Sequence, residues 1–305
     1  MVKQLNLLGE EVKEHKSDKQ VKTVISASRR TDMPAFFYEW LQEALSKEAV
    51  EVPNPMFSNK TYAVDLNPSN VHSIVLWSKN FKNVLVNPIH LEKYNLYFQY
   101  TINSYSKFLE PNVLDYNTTL KILEGLLKKY TPGQFNIRFD PVIISTGGEI
   151  DPTPGVPEMA RLLAFERLCR DLKSLGMENC RVTTSYLAMY PQVKARLEKL
   201  GFDMVKLSED GQLYFFERMA EMAQKYGITL YSCASPILEK VSGIRKGHCI
   251  EGELLEKLFG GRVKKSKDNG QREACGCTYS KEIGIYSKSI DGMKCLHGCK
   301  YCYAG

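Results

Sequence analysis

The sequence predicts an α/β fold in which helices wrap a parallel sheet, and the strand count points to a closed (β/α) barrel of the TIM type. Three observations carry this expectation. Short β-rich runs alternate with amphipathic helical stretches along most of the chain, the pattern that βαβ crossovers impose. Eight candidate strands can be read, the number that closes such a barrel. Polar residues follow several of them, at the strand ends where parallel α/β folds collect their chemistry. Periodicity alone leaves an open doubly wound sheet as the alternative.

The strands are read from apolar, β-branched or aromatic runs of four to eight residues. They fall at residues 23–28, 73–77, 96–101, 135–139, 181–185, 204–207, 228–232 and 283–286. The helices fall at 34–45, 114–130, 159–175, 193–200 and 213–226. Asp32 is placed to cap the first of these, with Pro34 in its first turn. Gly201 and Gly227 stop the last two. No linker divides the chain, so residues 1–305 are read as one barrel domain. Residues 250–281 fit the repeat poorly and form a small cysteine-bearing excursion within it. Residues 288–305 form a cysteine loop.

Composition narrows the class. Of 305 residues, 43% are hydrophobic and 25% charged, close to the average for a globular protein. No apolar run is long enough to span a bilayer, and residues 1–20 lack a secretion signal. A cytoplasmic protein without a membrane partner is expected. The net charge of +6 is mild. Lys264, Lys265 and Lys267 form the densest basic patch, read as a solvated loop rather than a nucleic-acid contact.

The nine cysteines are unevenly placed: none precedes Cys169, and five lie between Cys275 and Cys302. In a reducing compartment, clustered cysteines point to metal or redox chemistry. Cys295, Cys299 and Cys302 follow a Cys-x3-Cys-x2-Cys spacing. A loop of this spacing, turning tightly at Gly298, can wrap three corners of a four-iron cubane and leave one iron open. Zinc is the alternative, with His297 as a further ligand. His297 sits between two cysteines, however, where it cannot easily turn toward the same ion.

With Tyr301 before its last cysteine, the motif resembles the radical S-adenosylmethionine (SAM) signature. The Tyr-Cys-Tyr-Ala ending at residues 301–304 resembles the spore photoproduct lyase-like branch. The chain more broadly resembles the domain-of-unknown-function 1848 family. The matching stretches are Ile25-Ser-Ala-Ser-Arg-Arg-Thr-Asp32, Leu76-Trp-Ser-Lys-Asn80, Phe98-Gln-Tyr-Thr-Ile102, Arg138-Phe-Asp-Pro141, Ser232-Cys-Ala234 and the tail. The resemblance implies a 4Fe–4S cluster on the tail cysteines, SAM on its open iron, and a reductant such as flavodoxin or ferredoxin. It implies no substrate. Radical SAM motifs usually follow the first strand, whereas here the motif lies at the far end. A circularly permuted barrel is therefore expected, its cysteine loop following the last strand. On that reading Tyr301 lies against the adenine. The segment holding Ser26, Ser28, Arg29, Arg30 and Asp32 takes the SAM amino group, and Lys79 and Arg138 face the cofactor.

Cys233, Cys249, Cys275 and Cys277 are read separately. Four thiolates could close a zinc site or a second iron–sulfur cluster, or Cys233 and Cys249 could be buried packing thiols. Cys169 and Cys180 are assigned to packing. Arg29 and Arg30 beside Asp32 suit a carboxylate or phosphate, or an internal ion pair. Lys79 could neutralise an anionic cofactor or be a solvated loop lysine, and Arg138 could pair with Asp140. Thr146-Gly-Gly-Glu149 resembles a glycine-rich superfamily motif but falls on the wrong strand for that role. Trp40 and Trp77 are read as core. The leading expectation is a radical SAM-like enzyme acting on an unknown substrate. The alternatives are a zinc-stabilised, non-catalytic nucleic-acid-binding module and a nucleic-acid repair lyase.

Overall fold

The computed structural model describes residues 20–54, 60–145, 157–202, 204–268, 270–285 and 292–303. The Thr146–Glu149 motif, Tyr286, Ala304 and residues 1–19 lie outside the described residues. In chain order the elements are β1 (Val21–Ala27), α1 (Met33–Phe36), α2 (Tyr38–Ser46), β2 (Ala49–Pro53), β3 (Thr61–Asp65), β4 (Val71–Ser78) and α3 (Lys82–Val86). There follow β5 (Leu96–Thr101), α4 (Tyr116–Leu127), β6 (Phe135–Val142), α5 (Pro157–Ser174), β7 (Arg181–Tyr186), α6 (Pro191–Lys199) and α7 (Glu209–Lys225). The chain continues through β8 (Thr229–Ser232), β9 (Ile244–Lys246), α8 (Gly252–Phe259), β10 (Arg262–Val263) and β11 (Lys281–Glu282).

The main sheet runs β10-β1-β4-β5-β6-β7-β8-β9, with β11 also on β1. Its pairings are parallel throughout. The C-terminal ends of all its strands therefore share one edge, as the sequence predicts.

Alternation along the strands explains how both faces are covered. Ile25, Ile74, Leu76, Phe98, Ile137, Phe139 and Val182 point to one face and join the large core formed with α2, α4, α5 and α7. Their neighbours Val24, Val75, Tyr97 and Trp77 point to the other face. There they meet Ile250, Leu255, Val263, Cys275 and Cys277. Residues of the 250–281 segment pack on this second, inner face, and its β10 pairs with β1.

Four expectations need correction. The sheet is not a closed barrel: among the described residues no pairing joins β9 to β10 or β11. These edge strands span only two or three residues, and the chain between them packs across the sheet instead of extending it. Residues 204–207 are not a strand, Met204 making only an isolated bridge to Ser145. The last strand lies at Lys281–Glu282 rather than 283–286, although the Ile283 amide still donates to the Ser26 carbonyl at 3.0 Å. The antiparallel β2–β3 hairpin was not expected. Its first strand alternates Val with Ala and Glu and ends at Pro53, and its exposed face hides it from a search for apolar runs.

Among the described residues no helix is long and apolar enough to cross a membrane. The basic patch is engaged locally: Lys265 pairs with Glu256 at 2.8 Å, Lys267 donates to the Glu273 carbonyl, and Lys264 lies over the Tyr279 ring.

Candidate functional site

The site grows from the loop after β1. Asp32 caps α1, its Oδ1 accepting from the Ala35 amide at 2.9 Å and from the Ser78 hydroxyl at 2.7 Å. Its Oδ2 accepts from the Lys79 amide at 2.8 Å and lies 2.7 Å from His297 Nε2. One buried carboxylate thus ties together the ends of β1 and β4 and the cysteine tail. The other ring nitrogen of His297 lies 3.3 Å from the Asn112 carbonyl. Both ring nitrogens of His297 are thus engaged by protein.

The tail is held at its backbone as well as at its side chains. The Asn112 amide and side chain donate to the carbonyls of His297 and Leu296, and the Lys300 amide donates to Leu109. Arg196 of α6 donates to the carbonyls of Lys300 (3.1 Å) and Cys302 (2.8 Å). Gly298 takes a φ of +67°, which a residue without Cβ adopts at little cost. Cys299 and Tyr301 are buried in an apolar cluster with Tyr105, Leu109, Ile143 and Val193.

Beside Cys299 lies a buried polar network that contains a residue the sequence reading missed. Lys79 Nζ pairs with Glu110 at 2.7 Å, with side chains only 14% and 3% exposed, and it reaches the Tyr301 hydroxyl at 3.1 Å. The Tyr301 hydroxyl also donates to Glu110. Asn103 donates to Glu110 and to the Tyr301 oxygen, and receives the Asp140 amide. Burial opposes the charge on Lys79, yet Glu110 and then Cys299 raise its pKa above the ordinary lysine value. Burial likewise opposes ionisation of Glu110, but Lys79 outweighs it and the carboxyl stays low. Burial, then Glu110, pushes Tyr301 well up. Lys79 is therefore not a solvated loop lysine. Its charge is already met by Glu110, which sits in an irregular stretch after β5 where no periodic signal could flag it.

Other candidates have equally definite places. Arg29 makes internal ion pairs, with Glu282 at 3.0 Å and Asp268 at 3.5 Å, and donates to Ser280. Ser28 accepts from the Arg30 amide, and Ser26 from the Trp77 indole at 3.1 Å. Arg138 pairs with Asp140, which also accepts from Ser185. The guanidiniums of Arg29 and Arg138 lie 5.8 and 5.4 Å from the Trp77 ring centre. Trp77 and Trp40 are half-buried against the core clusters, and Cys169 and Cys180 are buried among apolar residues.

The two cysteine sets differ. Burial pushes Cys295 up to about 11 and Cys299 up to about 12. After burial, Asp32 and then Cys302 add to the rise at Cys295, and Glu110, Cys302 and Cys295 add to that at Cys299 while Lys79 opposes it. In the second set the Cys249 and Cys233 sulfurs touch at 3.4 Å. The cause lies in the backbone. β8 pairs with β9 at Ser232↔Lys246, and the Gly247 amide donates to the Ser232 carbonyl at 2.8 Å. The Thr278 amide then donates to Ile250, and the Ile250 amide to Cys277 Sγ, so Cys277 lies alongside Cys249. Hydrogen bonds with Cys249, Cys275 and Cys277 push Cys233 up, while hydrogen bonds with Cys233 and Cys277 hold Cys249 well down. Arg138 donates to Cys249 Sγ at 3.0 Å. Among the described residues, no group of three or more His, Cys, Asp or Glu side chains already has the spacing of a metal cage.

No curated protein and no solved structure matches the chain. The family model described as domain of unknown function (DUF1848) matches residues 24–304, and by a match of that extent the chain belongs to this family.

Proposed function

We propose that the protein is a radical SAM-like enzyme whose tail cysteines Cys295, Cys299 and Cys302 hold a 4Fe–4S cluster. The observation that carries this reading is the seating of the tail. Three cysteines at cubane-loop spacing are pinned at the C-terminal edge of a parallel sheet, beside a buried polar network. When bound, the cluster and SAM would supply a 5′-deoxyadenosyl radical for hydrogen abstraction from a substrate not yet identified.

The chain's own residues then have positioning roles. Asp32 orients His297 and with it the turn between Cys295 and Cys299. Arg196 satisfies the carbonyls of Lys300 and Cys302 in the tail turn. Lys79, Glu110 and Asn103 fix the Tyr301 hydroxyl, and with it the ring next to Cys302. The sheet is read as an opened (β/α) barrel, permuted so that β11 leads into the cysteine loop beside β1. A flavodoxin- or ferredoxin-type reductant would deliver the electron.

Anaerobic reconstitution, reduction and addition of SAM tests the reading. Formation of 5′-deoxyadenosine is expected, and a Cys299→Ala variant should lose both the cluster and the product. If Cys299→Ala still makes it, the ligand assignment is wrong. If the intact chain binds zinc alone, without iron or sulfide, the protein is a zinc-stabilised module instead.

A further inference from the structure

The geometry points to a second metal centre: Cys233, Cys249, Cys275 and Cys277 bind one zinc ion as a tetrathiolate site on the inner face of the sheet. This inference is independent of the proposed activity, since none of the four residues belongs to the tail.

The first argument is convergence. The four cysteines come from the end of β8, the loop after β9 and the Cys-Gly-Cys turn before β11. The β8–β9 register and the Ile250–Thr278 hydrogen bond bring these segments together. Cys275 and Cys277 are buried, and Cys249 packs in the same cluster. The turn between Cys275 and Cys277 is closed against His248: a Cβ on Gly276 would fall 2.0 Å from His248 Cε1. The segment is thus folded around its thiols, not merely passing near them.

The second argument is scale. A tetrahedral zinc site with Zn–S bonds of about 2.3 Å places its sulfurs ~3.8 Å apart. Cys233 and Cys249 stand at 3.4 Å, close to that separation, and binding requires the side chains of the other two to turn toward the same centre. The thiolates of a cubane each bond a different iron and must stand further apart. Thiols already in contact therefore favour a single ion over a second cluster.

The third argument is charge. Binding expels the four thiol protons and leaves a site with net charge −2 (four thiolates and one divalent ion). Arg138 meets it directly, donating to Cys249 Sγ at 3.0 Å, and the Ile250 amide donates to Cys277 Sγ at 3.4 Å. Donors aimed at sulfur are what a thiolate-bound ion requires of its surroundings.

The test uses the full chain with Cys295→Ala, Cys299→Ala and Cys302→Ala combined, so that failure of the tail assignment cannot affect the outcome. Purified under reducing conditions, this variant should retain about one zinc per chain, and X-ray absorption should show four sulfurs at about 2.3 Å. Cys249→Ser on that background should lower zinc affinity at least roughly tenfold. Should Cys249→Ser fail to fold, cobalt(II) added to the triple variant stripped of metal decides the matter. The intense visible bands of a tetrahedral tetrathiolate support the site. No bound metal, iron with labile sulfide, or a coordination shell containing nitrogen or oxygen would overturn it.

Discussion

The two cysteine sets of this protein pack in different clusters around one sheet, and they are built by opposite means. The tail set is local: Cys295, Cys299 and Cys302 sit within eight residues, and the fold's contribution is to hold that short loop down. It does so with Asp32 on His297, Asn112 on the turn and Arg196 on the last carbonyls. The second set is distributed: Cys233 and Cys249 are 16 residues apart, and Cys277 meets the Ile250 amide from 27 residues away. Only sheet register brings them into contact. A local site survives small changes in the sheet but depends on its tethers. A distributed site has the whole packing of the inner face as its tether.

That contrast can be broken most forcefully at Asp32. Asp32→Ala removes a buried acceptor shared by Ala35, Ser78, Lys79 and His297. It is expected to cost about 3–5 kcal/mol in denaturant unfolding and to reduce iron in the reconstituted protein while zinc stays. Unchanged iron content would show that the tail does not need this anchor. Gly276→Ala attacks the other region. With His248 in the way of the new methyl, the strain should cost about 1–3 kcal/mol and release zinc but spare iron. Equal loss of both metals in quantitative metal analysis would mean the regions are not separable. Arg196→Ala removes two charged hydrogen bonds from the tail carbonyls, worth about 1.5–3 kcal/mol gross and less where water replaces them. Faster loss of iron to a chelator is expected, with zinc release at its original rate. The smallest effect is assigned to Cys180→Ala, a buried packing thiol. It should cost about 1 kcal/mol and leave both metals at their original stoichiometry; a drop in either would bring Cys180 into the metal chemistry.

Much of the fold was legible because its strands are buried on both faces. Runs such as Leu96–Thr101 and Phe135–Val142 stand out from any background, and the parallel sheet follows from their alternation with helices. Closure of the barrel was not legible. It depends on β9, β10 and β11, which are too short to leave a pattern. The β2–β3 hairpin was missed because charged residues share its strands with the valines. At the site, Arg138 with Asp140 was foreseen from their closeness in sequence. The Lys79–Glu110 pair was not, because 31 residues of chain separate its members.

By itself the sequence determined the parallel α/β class, the family, the tail spacing and the edge of the sheet at which polar residues gather. Each of these is written in neighbouring residues, through strand alternation or the reach of a short loop. Only the tertiary structure decided that the sheet stays open among the described residues, that Glu110 neutralises Lys79, that Arg29 is spent on Glu282, and that Cys233 and Cys249 come into contact. Those outcomes depend on which strand ends come side by side, and register is set by the packing of the whole sheet rather than by any one segment.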